Sequence, residues 1–296
     1  MALERVVAKT KTLHIATLAQ WYFSKATSFI SKPKENEDSS ADANIFIMLL
    51  IATIPTVAVW ILVEHLPGIL VFFLYLLLLW ICLGCPVTRQ TYKRYLQAAN
   101  REDFEACSLY SEKFGNEGGD LTNVGKQLVL VNYRQYASVI IFYVILGLPG
   151  MVFYSLCKEW YLAKKEQAQP KLDVDTIEPL PDDSNLIYQH SNAEEKEISE
   201  EKVIFILDWL PSRITAFGFL LVGHFSKGFP AWLNTFLNPN ISAYDVLTEV
   251  AKSSEELTVS DNPQLHEPLQ MVKLVKRNII FLLMAVSVLT LAGVLS

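Results

Sequence analysis

Four stretches of this chain run without one Asp, Glu, Lys, Arg or His: Ile45–Val63, Ile69–Cys85, Ala137–Cys157 and Asn278–Leu295. Each is close to the roughly 20 residues that a helix needs to cross an apolar layer about 30 Å thick. Lipid offers no partner for backbone N–H and C=O groups, so runs of this kind must be helical. Pro55 and Pro149 fall inside two of them and are expected to kink them. The composition agrees with this placement. Hydrophobic residues make up 51% of the chain and charged residues 19%, against about 25% charged in a soluble domain. The mean hydropathy is +0.27. These values exclude a disordered chain, a disulfide scaffold and an ordinary soluble enzyme domain. The formal charge of −6 argues against nucleic acid as a partner.

A fifth segment, Val203–Val222, is apolar enough to enter a membrane but carries Asp208, Pro211 and Arg213. Proline cannot donate to the helical ladder and disfavours helix in the residue before it. The expectation is therefore two pieces, divided near Leu210, forming either half of a broken span or a re-entrant element. The predicted fold is all-α: a polytopic helical membrane protein with four full spans, one Pro-broken intramembrane element and amphipathic cytoplasmic helices.

Basic residues set the orientation. Arg5, Lys9, Lys11, Lys25, Lys32 and Lys34 precede the first span, and Arg89, Lys93, Arg94, Arg101, Lys113, Lys126 and Arg134 lie between spans two and three. The Glu64–Gly68 connector has neither Lys nor Arg. The N-terminus and the 86–136 segment are accordingly expected in the cytoplasm. Residues 1–43 read as an amphipathic segment and linker, with an interfacial helix over 12–30. Residues 44–163 hold spans one to three, and residues 164–202 form an acidic, solvated linker. Residues 203–296 hold the broken element, a helix over Ser242–Glu256 and the last span. Within 88–114, Asn100 reads as a helix cap ahead of acidic residues.

Most catalytic signatures are missing. Cys82-Leu-Gly-Cys85 ends an apolar helix and has no His nearby, so packing is the better reading. Gly119…Gly125-Lys126-Gln127 falls short of a phosphate loop, with one residue too many and Gln where Ser or Thr should stand. The sequence calls for no metal and no cofactor. The best site candidates are Asp208 and Arg213, because ionised groups at membrane depth are costly and usually face the interior in pairs. Tyr133 and Arg134, directly before span three, could reach the same cavity. His224, in Gly223-His-Phe-Ser-Lys-Gly, is a further candidate.

Several of these stretches resemble the AmpE family of inner-membrane proteins. The matching residues are Leu3-Glu4-Arg5, Tyr92–Ala99 (YKRYLQAA), Val131–Tyr136 (VNYRQY), Leu207–Leu220 (LDWLPSRITAFGFL) and Gly223–Trp232 (GHFSKGFPAW). The chain departs from the family pattern in its start, which lacks a short apolar run before Glu-Arg, and in a longer acidic linker. The resemblance implies a multi-pass protein of the bacterial inner membrane that modulates signalling, associated with beta-lactamase regulation, the antibiotic response and recycling of cell-wall muropeptides. Its partners would be the lipid bilayer and components of those systems. The Pro211-x-Arg213-x-Thr215 block is more distantly similar to the CobD/CbiB membrane enzymes, which attach an aminopropanol arm to a corrinoid. The acidic stretch of those enzymes is replaced here by Leu130–Ala137, which has no carboxylate. A signalling protein is thus the first expectation, and a corrinoid-type membrane enzyme or a small transporter the alternatives.

Overall fold

Every described element is helical, as backbone placed in lipid requires. The computed structural model describes residues 15–29, 40–84, 86–116, 119–168, 200–255 and 263–293. The Leu3-Glu4-Arg5 match, Cys85 and most of the acidic linker fall outside these residues. The elements are α1 (Ile15–Phe29), α2 (Ser40–His65), α3 (Gly68–Cys82), α4 (Pro86–Ala99), α5 (Phe104–Glu112) and α6 (Val124–Asn132). A single π-helical turn, Tyr133–Ala137, leads into α7 (Ser138–Ala168), followed by α8 (Glu200–Val222), α9 (Phe225–Leu237), α10 (Ala243–Ser254) and α11 (Pro263–Leu291). Five stretches are long and apolar enough to cross a membrane: Ile45–His65, Gly68–Ala99, Val124–Lys165, Glu200–Val222 and Gln264–Leu291.

The third apolar run is not a straight rod. Gly147 has φ 68° and ψ −160°, which is not helical, two residues before Pro149. The proline was expected to kink this run, and the bend is a reversal. The rings of Phe142 and Tyr154 stack with centroids 4.6 Å apart, and the Arg134 guanidinium lies 5.4 Å from the centre of the Tyr161 ring. A continuous helix would hold Arg134 and Tyr161 about 40 Å apart at 1.5 Å per residue. The run is therefore a helical hairpin. Its outgoing arm passes antiparallel to α3, since the Gly84 N–H reaches the Gln135 carbonyl (3.4 Å) and Tyr75 packs edge-on against Tyr143. A side chain at Gly150 would stand 3.1 Å from the Phe142 carbonyl oxygen, so the close return needs glycine there.

The interior divides into three clusters. One gathers α1, α2, the α7 hairpin and the start of α8 around Met48, Ile51, Met151, Tyr154 and Trp160. α1 docks on it through Ile15, Ala19 and Phe23, with Trp160 edge-on to Phe23 at 4.9 Å, and leaves Trp21 exposed as an interfacial helix would. A second joins α6, α8, α10 and α11 around Phe219, Leu247 and Met271. A third sits under α4 and α5 around Tyr95 and Cys107. Lipid-type surfaces remain outside: Phe46, Trp60, Phe72, Phe73, Met284 and Val288 are all exposed.

Two local expectations are corrected. The cap of α5 is Asp103, whose carboxylate accepts from the Ala106 N–H at 3.0 Å. Asn100 sits in the preceding turn, where Glu102 adopts φ 57°. The break expected at Pro211 is also absent: α8 is one helix from Glu200 to Val222 with the proline inside it. The proline has no N–H to give the Leu207 carbonyl, and side-chain donors gather on other carbonyls around it. The Tyr133 hydroxyl donates to the Asp208 carbonyl (3.2 Å), Ser212 Oγ and Arg213 Nη1 to that of Trp209 (both 3.0 Å), and Thr215 Oγ1 to that of Pro211 (2.8 Å). Such donors, together with packing, let a buried helix keep its course through proline.

Candidate functional site

Asp208 lies on the inner face of α8 and is 1% exposed. An unpaired carboxylate there would be very costly, and the structure pairs it fully. Oδ1 accepts from the Tyr154 hydroxyl at 2.8 Å and from the Tyr133 hydroxyl at 3.1 Å, whose one proton is shared with the Asp208 carbonyl, while Oδ2 faces Arg134 Nε at 3.4 Å. Three stretches of chain meet on this carboxylate: the π-helical turn, the returning arm of the α7 hairpin, and α8.

The two adjacent residues that reach this group lie in the π-helical turn. The wide turn at Tyr133–Ala137 takes the hydrogen bond of Ser138 N–H back to the Tyr133 carbonyl, and Ser138 Oγ donates to the same carbonyl at 3.1 Å. An α-helix would separate successive side chains by about 100°. Tyr133 and Arg134 open the π-turn, and both long side chains reach Asp208. Turns of this type are frequent at functional sites.

Arg134 is the member of the cluster that reaches outward, with its side chain 20% exposed against 1% for Asp208. One face of its guanidinium lies on Tyr161. Close by, Trp160 Nε1 donates to the buried Glu200 at 3.4 Å, and Lys158, also buried, pairs with Glu159 at 3.1 Å. The chemistry available is that of a saturated carboxylate–guanidinium–phenol network in which only the cation meets the outside.

The pairing foreseen for Asp208 with Arg213 is not made. Arg213, 2% exposed, turns to carbonyl oxygens: Nη1 donates to Trp209 and Nη2 to Asn238, each at 3.0 Å. Its guanidinium also lies 4.6 Å from the Trp209 ring centre. The two residues are five apart on one helix, so their side chains leave it in different directions, and the site chosen for Asp208 comes from another segment. Tyr133 and Arg134 do join the cluster, as expected. His224 does not. It is exposed at the start of α9, and its N–H donates to the Ser254 carbonyl at 2.8 Å. Tyr154 was not foreseen, because it lies in an otherwise apolar run whose fold-back at Gly147 carries it to the carboxylate.

The phosphate-loop-like stretch offers nothing to a phosphate. Asp120 takes the Thr122 N–H at 2.8 Å and the Asn123 side-chain amide at 2.6 Å. The Thr122 backbone bond holds its carboxyl below the usual carboxylate range, so an anion already occupies the loop. Among the described residues no group of three His, Cys, Asp or Glu is placed to hold a metal.

Comparison with known proteins gives one consistent result. A family model described as "Regulatory signalling modulator protein AmpE" matches residues 20–176 and 182–296, nearly the whole chain. A relative named "Protein AmpE", from Shigella flexneri, is 24% identical over 259 residues, covering 82% of this chain and 76% of that protein. No solved structure matches.

Proposed function

This chain belongs to the AmpE family of regulatory signalling modulators, and from that premise we propose that it binds a small ligand at the bacterial inner membrane and reports it to the system that controls beta-lactamase expression and muropeptide recycling. The protein would lie in that membrane as a multi-pass protein with a cytoplasmic N-terminus, and the sensing element would be the Asp208 cluster. One observation carries this reading: a carboxylate 1% exposed on a membrane-type helix ties together three stretches of chain through a cation that is itself partly open. Ionisable residues inside apolar helices are rare and face the protein interior, which makes this carboxylate the first place to look for function.

The chemistry follows from Arg134. Its contact with Asp208 is, at 3.4 Å, the longest of the three on that carboxylate. A ligand bearing a carboxylate, as the peptide stem of a cell-wall fragment does, would compete for the guanidinium and loosen the π-turn from α8. A ligand shifts such an equilibrium only by its differential affinity for the two arrangements. Arg134 supplies that difference, because it is engaged inward in one arrangement and outward in the other. Arg213 and His224 would stand outside this switch, the first as a helix clamp and the second at the surface.

The test is a strain lacking the gene, complemented with the parent, Asp208→Asn or Arg134→Ala, with protein abundance in the membrane measured alongside beta-lactamase induction and the muropeptide pool. Variants present in the membrane but signalling like the deletion strain support the site. Variants that signal like the parent remove the Asp208 cluster from the function. A deletion strain with unchanged induction and muropeptides, and a requirement for added corrinoid, would replace the signalling reading with the enzyme one.

A further inference from the structure

α9 turns back along α8 immediately after Gly223. Gly228 packs on Leu220 and Ser254 with no room for a side chain. Further on, the Phe217 and Trp232 rings lie 5.3 Å apart, and Trp232 Nε1 donates to the Arg213 carbonyl at 3.2 Å. At the end of α9, Arg213 Nη2 donates to the Asn238 carbonyl at 3.0 Å. The partners move down α8 as they move up α9, so the two helices form an antiparallel hairpin. The 13 residues of α9 extend about 20 Å, short of the about 30 Å needed to cross.

The outer side of α9 is a single stripe. Phe225, Phe229, Leu233, Phe236 and Leu237 are all exposed, at spacings that place them on one helical face. Phe225 stacks on Phe229 at 5.3 Å and Trp232 on Phe236 at 5.0 Å. The stripe continues sideways onto α8, where Ile214, Phe217 and Leu221 are exposed. α8 is one of the helices long and apolar enough to span. Polar residues flank the stripe, with Ser226 and Lys227 at its start, Asn234 on the adjoining face and Asn238 and Asn240 at its end, all exposed. α10, which follows, turns Asp245, Glu249 and Lys252 outward and cannot cross either.

We propose that α9 is a lipid-embedded helix that does not cross, and that its partner is the acyl chains of the bilayer, met as one surface with the outer face of α8. Continuity with the α8 surface favours lipid over another protein, and the length of α9 keeps it from crossing. Arg213 then has a defined task. It is a buried cation spent on the C-terminal carbonyl of α9, where the helix carries partial negative charge, and it pins the element to α8. This inference does not depend on the signalling role.

The test uses the whole protein in vesicles of phosphatidylethanolamine and phosphatidylglycerol that contain a phospholipid with a photoreactive acyl chain. Illumination is expected to attach lipid within Phe225–Leu237, located by mass spectrometry. Attachment on α2, α3 and α11 with none on α9 would overturn the proposal. In parallel, Leu233→Cys, Asn240→Cys and Ser253→Cys are placed in a chain whose native cysteines are changed to alanine. Loss of labelling at position 233 by a charged thiol reagent is expected, with positions 240 and 253 labelled from the same side. Ready labelling at 233, labelling of 240 and 253 from opposite sides, or a 233–233 disulfide between two copies would each sink it.

Discussion

At Asp208 three side chains satisfy one carboxylate, and each can be removed separately. Tyr154→Phe deletes one hydrogen bond to a buried charged group and keeps the ring stacked on Phe142. Bonds of that kind contribute about 1.5–3 kcal/mol, so the variant is expected to unfold at lower temperature in detergent, and an unchanged midpoint would show that the bond adds nothing. Breaking a buried ion pair typically costs about 3–5 kcal/mol. Here the loss should fall below that range for Asp208→Asn, because Arg134 is 20% exposed and regains water. A double-mutant cycle separates the two arginines. Asp208→Asn should couple to Arg134→Ala, with the double variant recovering part of the loss, and should be additive with Arg213→Ala. Coupling of 208 to 213 rather than to 134, read from the same unfolding curves, would contradict the observed pairing.

At the level of elements the decisive feature is the reversal at Gly147. Its φ of 68° and ψ of −160° lie in a region that is essentially glycine-only, and a side chain there costs about 1–3 kcal/mol. Gly147→Ala should therefore destabilise the protein by about that amount. Gly68→Ala is the control, since Gly68 has open space around it and no positive φ. The expected result is a lowered unfolding midpoint for the first variant and little change for the second; equal effects would mean that the reversal is not strained. α8 behaves in the opposite way. Its proline lies inside one continuous helix, with side-chain donors on the Asp208, Trp209 and Pro211 carbonyls around it. Against α11, Gly218 lets Asn278 approach so closely that its Nδ2 donates to the Thr215 carbonyl at 3.1 Å.

For the whole molecule, the hairpin bears on topology. Arg134 enters the third apolar run and Tyr161 leaves it, and the two side chains are in contact. The acidic linker that follows should accordingly emerge on the side from which the 86–136 segment enters. Single cysteines at Thr122 and Ser191 are expected to react from the same face of the membrane, the cytoplasmic one by the positive-inside tendency. Reaction from opposite faces would require the α7 run to cross as a single span.

The sequence by itself determined the class of structure. Runs without charge have no stable home in water, and backbone in lipid has no partner outside a helix, so the all-α membrane character was legible from Ile45–Val63 or Asn278–Leu295 alone. It also marked Asp208, Tyr133 and Arg134, because buried charge in an apolar run demands a counterpart. Tertiary structure decided which counterpart. Asp208 and Arg213 are close in sequence, but a helix sends residues five apart in different directions, and the carboxylate found its cation 74 residues away. The same holds for proline and glycine. Both signal a break, but α8 continues through Pro211, whereas the bend in the third run falls at Gly147. No local rule carries that information, because it depends on which elements pack against each run.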